Sequence, residues 1–219
     1  MSKITQYISA LPAEERANTL THLIAVIATL SVAYPLLHTA YDAQLLFFNY
    51  QLAGTVIFLA GMLLMFGSST WYHAELRPAR KRRLRVLDHI SIFVMIAGSY
   101  TPVCLISIGG WAGWTVCGFL WVCVIAGIIG KSIALGKYPK LSLALYLAMG
   151  WTALVIIRPM WQTMPRPAFW WVVAEGVCYT VGAYFFHYDE EYAFYHAVWH
   201  VFIILGALCH TIAVFQILQ

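Results

Sequence analysis

The stretch "FYHAVWHVFIILGALCHTIAVFQILQ", residues 194–219, decides how the chain is read. It holds no Asp, Glu, Lys or Arg and is long enough to cross a bilayer core, which takes about 20 apolar residues. Yet it carries three imidazoles, His196, His200 and His210. An ionisable group inside such a segment is costly unless it is paired or ligated, so each histidine calls for a partner.

Six further segments have the same character. They fall at about 17–40, 46–74, 86–107, 111–131, 140–158 and 168–187, with 194–217 as the seventh. Of the 219 residues 62% are hydrophobic and only 10% charged, whereas a soluble domain has about a quarter of its residues charged. So little polar surface cannot cover a water-soluble globule, and the segments are too long and too continuously apolar for barrel strands. The expected fold is an all-α integral membrane protein, a single seven-transmembrane-helix bundle over 1–219. The five cysteines all lie in apolar blocks without CxxC spacing, and are read as small hydrophobes. The polar start "MSKITQYISALPAEERAN" has no apolar core of a cleaved signal peptide.

Basic residues set the expected orientation. "ELRPARKRRLR" (75–85) carries six Arg and Lys between the second and third spans. Lys131, Lys137 and Lys140 separate the fourth and fifth spans, and Lys3 and Arg16 precede the first. The opposing loops hold Asp42, no charge, and Arg158 with Arg166. The positive-inside rule then places the N-terminus in the cytoplasm and the C-terminus outside. The net charge of +4 reflects this arrangement rather than a nucleic-acid partner. One consequence is that His73, Asp88, His196, His200, Glu15, Asn18 and His22 all fall at the cytoplasmic ends of their spans, while the outer half of the bundle has little to match them.

In "HAVWH" (196–200) the two histidines are at i and i+4, on one helix face and about 6 Å apart along the axis. Ser69 and His73 repeat that spacing in the second span. His73, His196 and His200 make a nitrogen-rich set suited to zinc, with a fourth position left for water. Asp88 is placed to take a proton from that water. Each piece has a plainer reading. HxxxH serves interhelical hydrogen bonding, His73 sits beside Trp71 and Tyr72 as an interfacial residue would, and Asp88 could cap the third span or pair with the arginines. Their shared depth on three helices favours the metal. Glu15, Asn18 and His22 form one stripe at i, i+3 and i+7, which either orients the ligands or serves as a helix entry turn. His89 points about 100° away from Asp88, and His210 lies about 15 Å beyond His200 on another face, as a core hydrogen-bonding residue.

Together "ERANTLTH" (15–22), "SSTWYH" (68–73), "LDHISIFVMIAGSYTP" (87–102), "YLAMGW" (146–151) and "HAVWH" (196–200) resemble the progestin and adiponectin receptor family, most closely its bacterial hemolysin III-like branch. The resemblance implies a multi-pass protein of a bacterial inner (plasma) membrane. It also implies a cytoplasmic-side zinc ion on His73, His196 and His200, with Asp88 near its water. The wider superfamily includes alkaline ceramidases. The implied partners are therefore membrane lipids, with a lipid substrate or free fatty acid in the bundle, and the implied role is in membrane-lipid homeostasis.

Three functions compete on these residues. The first is a zinc-dependent hydrolase of a lipid amide or ester, with Asp88 as base and Ser69 bonding the oxyanion. The second is a non-catalytic sensor in which zinc staples the spans. The third, a transporter, is disfavoured because no carboxylates are evidently paired at mid-membrane. A retinal protein is excluded by the absence of lysine in the last span.

Overall fold

The computed structural model describes residues 9–43, 49–134 and 137–219. Among these the chain is helical throughout, without strands. The elements are α1 (Ala13–Asp42), α2 (Tyr50–Ala74), α3 (Pro78–Pro102) continued by a π-helical Val103–Ile108, α4 (Gly110–Ala134), α5 (Pro139–Gly150), a 3₁₀ turn (Trp151–Leu154), α6 (Ile157–Thr163), α7 (Arg166–His187) and α8 (Tyr195–Leu218). Six helices are long and apolar enough to cross a membrane, and a bent pair, Lys140–Leu154 with Ile157–Thr163, makes seven if it is one span. The protein is a multi-pass, all-α membrane bundle. Lys3 and the expected start of the second span lie outside the described residues.

Two boundaries depart from the sequence reading, each for a local reason. The expected fifth span is not one straight helix: it bends by 48° and restarts at Ile157. Pro159 lacks an N–H and its ring would clash with the carbonyl four residues back, so it is accommodated in a new first turn and not mid-helix. The basic segment 75–85 is not all loop. Pro78 opens α3, where its missing N–H costs nothing, and the Arg-rich stretch that follows is good helix former. Asp88 therefore sits nearly three turns inside α3, which removes the capping reading.

Most of the helices are apolar nearly all round. Ile24, Ile27, Val122 and Ile125 are exposed, as side chains facing lipid are. Inside the bundle α2 and α3 pack closely. A Cβ on Gly98 would lie 3.3 Å from the Ile57 carbonyl oxygen, and one on Gly61 would lie 3.4 Å from that of Val94. Small residues let membrane helices approach this closely, where dispersion rather than water drives packing. The same contact brings Ser68 within 3.0 Å of Ser91 and sets Ser69 opposite Asp88. A second cluster, with Leu36, Phe58, Phe66 and Val214 fully buried, ties α1 and α2 to the last helix.

Glu75 fixes the turn between α2 and α3. Its Oε1 accepts from the backbone N–H of Arg77 at 3.0 Å and from Arg77 Nε at 2.9 Å, and its Oε2 lies 3.2 Å from Arg80 Nε. These hydrogen bonds and charges hold the carboxyl down at about 2, against an ordinary 4.5. The ionised form is thus favoured more in the folded chain than in the unfolded one. The clamp contributes fully above pH 4.5 and is lost as pH falls towards 2. Unfolding of wild type and Glu75→Gln, followed by circular dichroism in detergent, should differ at pH 7 and converge in that acid window. Gly98→Val should push α2 from α3 and cost about 1–3 kcal/mol, read as a lower melting temperature; unchanged melting would mean that the contact yields.

Candidate metal centre

α2 delivers His73 on its last turn, and α8 delivers His196 and His200 on its first two. Their rings converge: the centroids are 5.1 Å apart for His73 and His196, 5.2 Å for His73 and His200, and 4.7 Å for His196 and His200. One ring nitrogen from each lies within 4.8 Å of the other two. His200 and His73 are buried, at 0% and 4% exposure.

The hydrogen bonds identify which nitrogens converge. His73 Nδ1 is 2.7 Å from Glu15 Oε2, and His196 Nδ1 is 2.6 Å from Asp189 Oδ2. A carboxylate only accepts, so each of these Nδ1 atoms carries the proton. His200 Nδ1 is 3.1 Å from Thr21 Oγ1. That hydroxyl donates to the carbonyl oxygens of Ala17 at 2.9 Å and Asn18 at 3.0 Å, leaving its lone pair for His200 Nδ1–H. In all three rings Nε2 is consequently the lone-pair nitrogen. All three Nε2 atoms are buried without a hydrogen-bond partner. Buried polar atoms are rarely left unsatisfied, and three of them aimed at one place make a coordination set for an ion that prefers imidazole nitrogen. The residues present fit a metal.

Further groups hold this arrangement. Glu15 Oε1 accepts from Lys81 Nζ at 2.8 Å, which fixes the carboxylate that faces His73. His22 is 1% exposed and stacks on His200, with centroids 3.5 Å apart and an interplanar angle of 14°. Asn18 meets the site through its backbone carbonyl, while its side-chain Oδ1 is buried without a partner. Asp189 is brought in by the turn before α8, which ends on Phe194 at φ +62°. A non-glycine residue in that left-handed region is strained, and Glu14 Oε1 accepts the Phe194 N–H at 3.2 Å.

Ser69 and Asp88 line a cavity of about 150 Å³ together with His22. The Ser69 hydroxyl hydrogen-bonds Asp88, and His196 is close enough to act on its charge. The cavity runs on to Tyr100, Glu175 and Tyr179. It shares Gly150, Trp151, Ala153 and Gly176 with a 380 Å³ groove between the broken fifth span and α7.

The structure thus brings His73, His196, His200, Glu15 and His22 together and places Asp88 and Ser69 on the adjoining wall. Three groups were missed from sequence. Asp189 and Thr21 serve the histidines, and their one signal was nearness in sequence to His196 and His22. Glu175 pairs with His210 at 2.6 Å, so the bundle beyond the three-histidine cluster is not empty of polar partners. His210 does act as an interior hydrogen-bonding histidine.

Comparison with known proteins gives the family. The profile of the haemolysin-III related family matches residues 12–211. Hemolysin-3 of Bacillus cereus is 33% identical, the alignment covering 94% of this chain and 91% of that protein. The hemolysin-3 homolog of Bacillus subtilis (strain 168) is 31% identical over 89% of each chain. The human monocyte to macrophage differentiation factor is 27% identical over 94% of this chain and 84% of its own. A bundle of apolar helices with histidines gathered at one end, and a family match over nearly its whole length, place the chain in the haemolysin-III related family, a branch of the progestin and adiponectin receptor family.

Proposed function

We propose that this protein is a zinc-dependent intramembrane hydrolase of a lipid amide or ester, with its site at the cytoplasmic end of the bundle and a role in membrane-lipid homeostasis. The observation that carries this reading is the convergence of three lone-pair Nε2 atoms beside a cavity walled by Asp88 and Ser69. His73, His196 and His200 would hold zinc, which supplies Lewis-acid polarisation of a carbonyl and a water of lowered pKa.

The chain's own residues supply the rest. Glu15, Asp189 and Thr21 fix the tautomer and angle of each imidazole, which raises its basicity and pre-forms the site. Asp88 is the base that takes the proton from water and returns it to the leaving group. Ser69 donates to Asp88 while that carboxylate is ionised; once Asp88 has taken the proton from water, the hydroxyl is free to donate to an oxyanion on the cavity wall. The groove between the broken fifth span and α7 gives an acyl chain a way in from the membrane.

A second reading, a sensor with a structural zinc, is favoured by one feature: the ligands come from α2 and α8, whose backbones come close at few points, so an ion would add a staple to their side-chain packing.

Purified protein should hold about one zinc per chain by elemental analysis. Each of His73→Ala, His196→Ala and His200→Ala should remove most of it, whereas His210→Phe should leave it in place. Asp189→Asn should weaken zinc binding by about 10–100-fold; full occupancy in His196→Ala would refute the site. Asp88→Asn separates the two functions. In a hydrolase, zinc stays bound while release of fatty acid from a lipid amide falls by about 10²–10⁴. Normal zinc and normal turnover in that variant would remove Asp88 from the chemistry.

A further inference from the structure

Glu175 and His210 lie near mid-bundle, about 15 Å from the three-histidine site by the ten residues that separate His200 from His210 along α8. They are 8% and 2% exposed, and the metal chemistry uses neither. Glu175 Oε2 accepts from His210 Nδ1 at 2.6 Å. Among the described residues its Oε1 has no hydrogen-bond partner, and Glu175 lines the cavity that Asp88 and Ser69 line at its other end. Tyr179, one turn along α7, lines the same cavity, and its hydroxyl oxygen is buried without a partner. The Tyr179 ring is held in place against α8: a Cβ on Gly206 would fall 2.2 Å from its Cε1.

At this end of the cavity an unmatched carboxylate oxygen and an unmatched phenol, one turn apart on α7, state what would bind there. The carboxylate oxygen can only accept; the phenol has a proton to give. A bare methylene chain would leave both unsatisfied, an unfavourable outcome in a medium without water. An anionic group would be repelled by Glu175. An ammonium would satisfy Glu175 but offer no acceptor for the phenolic proton. A hydroxyl matches both, since it donates to Glu175 and accepts from Tyr179.

We propose that Glu175 and Tyr179, with His210 as the positioning residue for Glu175, form a subsite for a hydroxyl carried on the lipid chain. This rests on the reading of the cavity as a lipid site. An extended chain advances about 1.2 Å per bond, so 15 Å corresponds to a hydroxyl about a dozen carbons from the carbonyl. The preferred ligand is therefore a hydroxylated acyl chain rather than a plain one, and the remainder of the chain passes Gly176 and Thr180 into the groove.

The test is competition binding to the zinc-loaded protein in nanodiscs, with a fluorescent fatty acid as tracer. The competitors are octadecanoic acid and the same acid with a mid-chain hydroxyl about a dozen carbons from its carboxyl. Wild type should favour the hydroxylated acid by about tenfold or more, the scale of a hydrogen bond to a charged group. Tyr179→Phe and Glu175→Gln should each bring the ratio close to one, with affinity for the plain acid within about twofold of wild type. Glutamine keeps an oxygen for His210 and turns an NH₂ to the cavity, so the acceptor is lost. Tyr179→Phe leaves the Glu175–His210 bond intact, which keeps the proposal testable if the Glu175 variant fails to fold. Equal binding of the two acids by wild type would overturn the subsite and leave the hydrolase standing. A preference that survives both variants would also overturn it, making the pair a staple between α7 and α8. Binding of neither acid would overturn the lipid reading of the cavity along with it.

Discussion

The structure depends on what happens at the outer nitrogen of each imidazole. A histidine in an apolar bundle has two polar atoms to satisfy. Here the Nδ1 of His73, His196 and His200 is taken by Glu15, Asp189 and Thr21 in turn. That choice forces the lone pair onto Nε2 and aims it inward. Without those partners the rings could swap tautomers or rotate, and a shared focus would not persist. The cost of placing carboxylates so near the membrane is offset by the same bonds, since Glu15 also reaches Lys81. One set of contacts therefore settles burial, protonation and aim together.

The second constraint is the close approach of α2 and α3. It leaves little room for a Cβ at Gly98, and it faces Ser69 towards Asp88. The wall of the cavity and His73 thus share one helix. Their relative position is set by helix geometry, because Ser69 and His73 are one turn apart. A more loosely packed pair would let the carboxylate drift from the histidines without altering the fold.

Much of this was legible in the sequence, and the residues say why. Hydropathy and loop charge are local properties, so the multi-pass all-α layout and the gathering of His73, Asp88, His196 and His200 at one end could be read directly. Whether two residues on different helices meet depends on the rotation of each helix about its axis. Helices that are apolar nearly all round carry no polar stripe to reveal that rotation. Hence Thr21 opposite His200 and Glu175 opposite His210 could not be foreseen, and Asp189 reaches His196 from a turn whose path hydropathy does not report. The break before Ile157 was signalled by Pro159, but continuous hydropathy through that region outweighed a single residue.

The partners of His200 also bear on how the protein is made. Thr21 and His200 are separated by 179 positions, and Glu15 reaches His73 across another 58. The first helix waits through the insertion of every other helix before the last one arrives with two of the three imidazoles. No fragment emerging from the ribosome contains a finished site. The three-histidine cluster therefore comes together only when the last helix is in place, and a chain truncated before that helix lacks two of its three imidazoles.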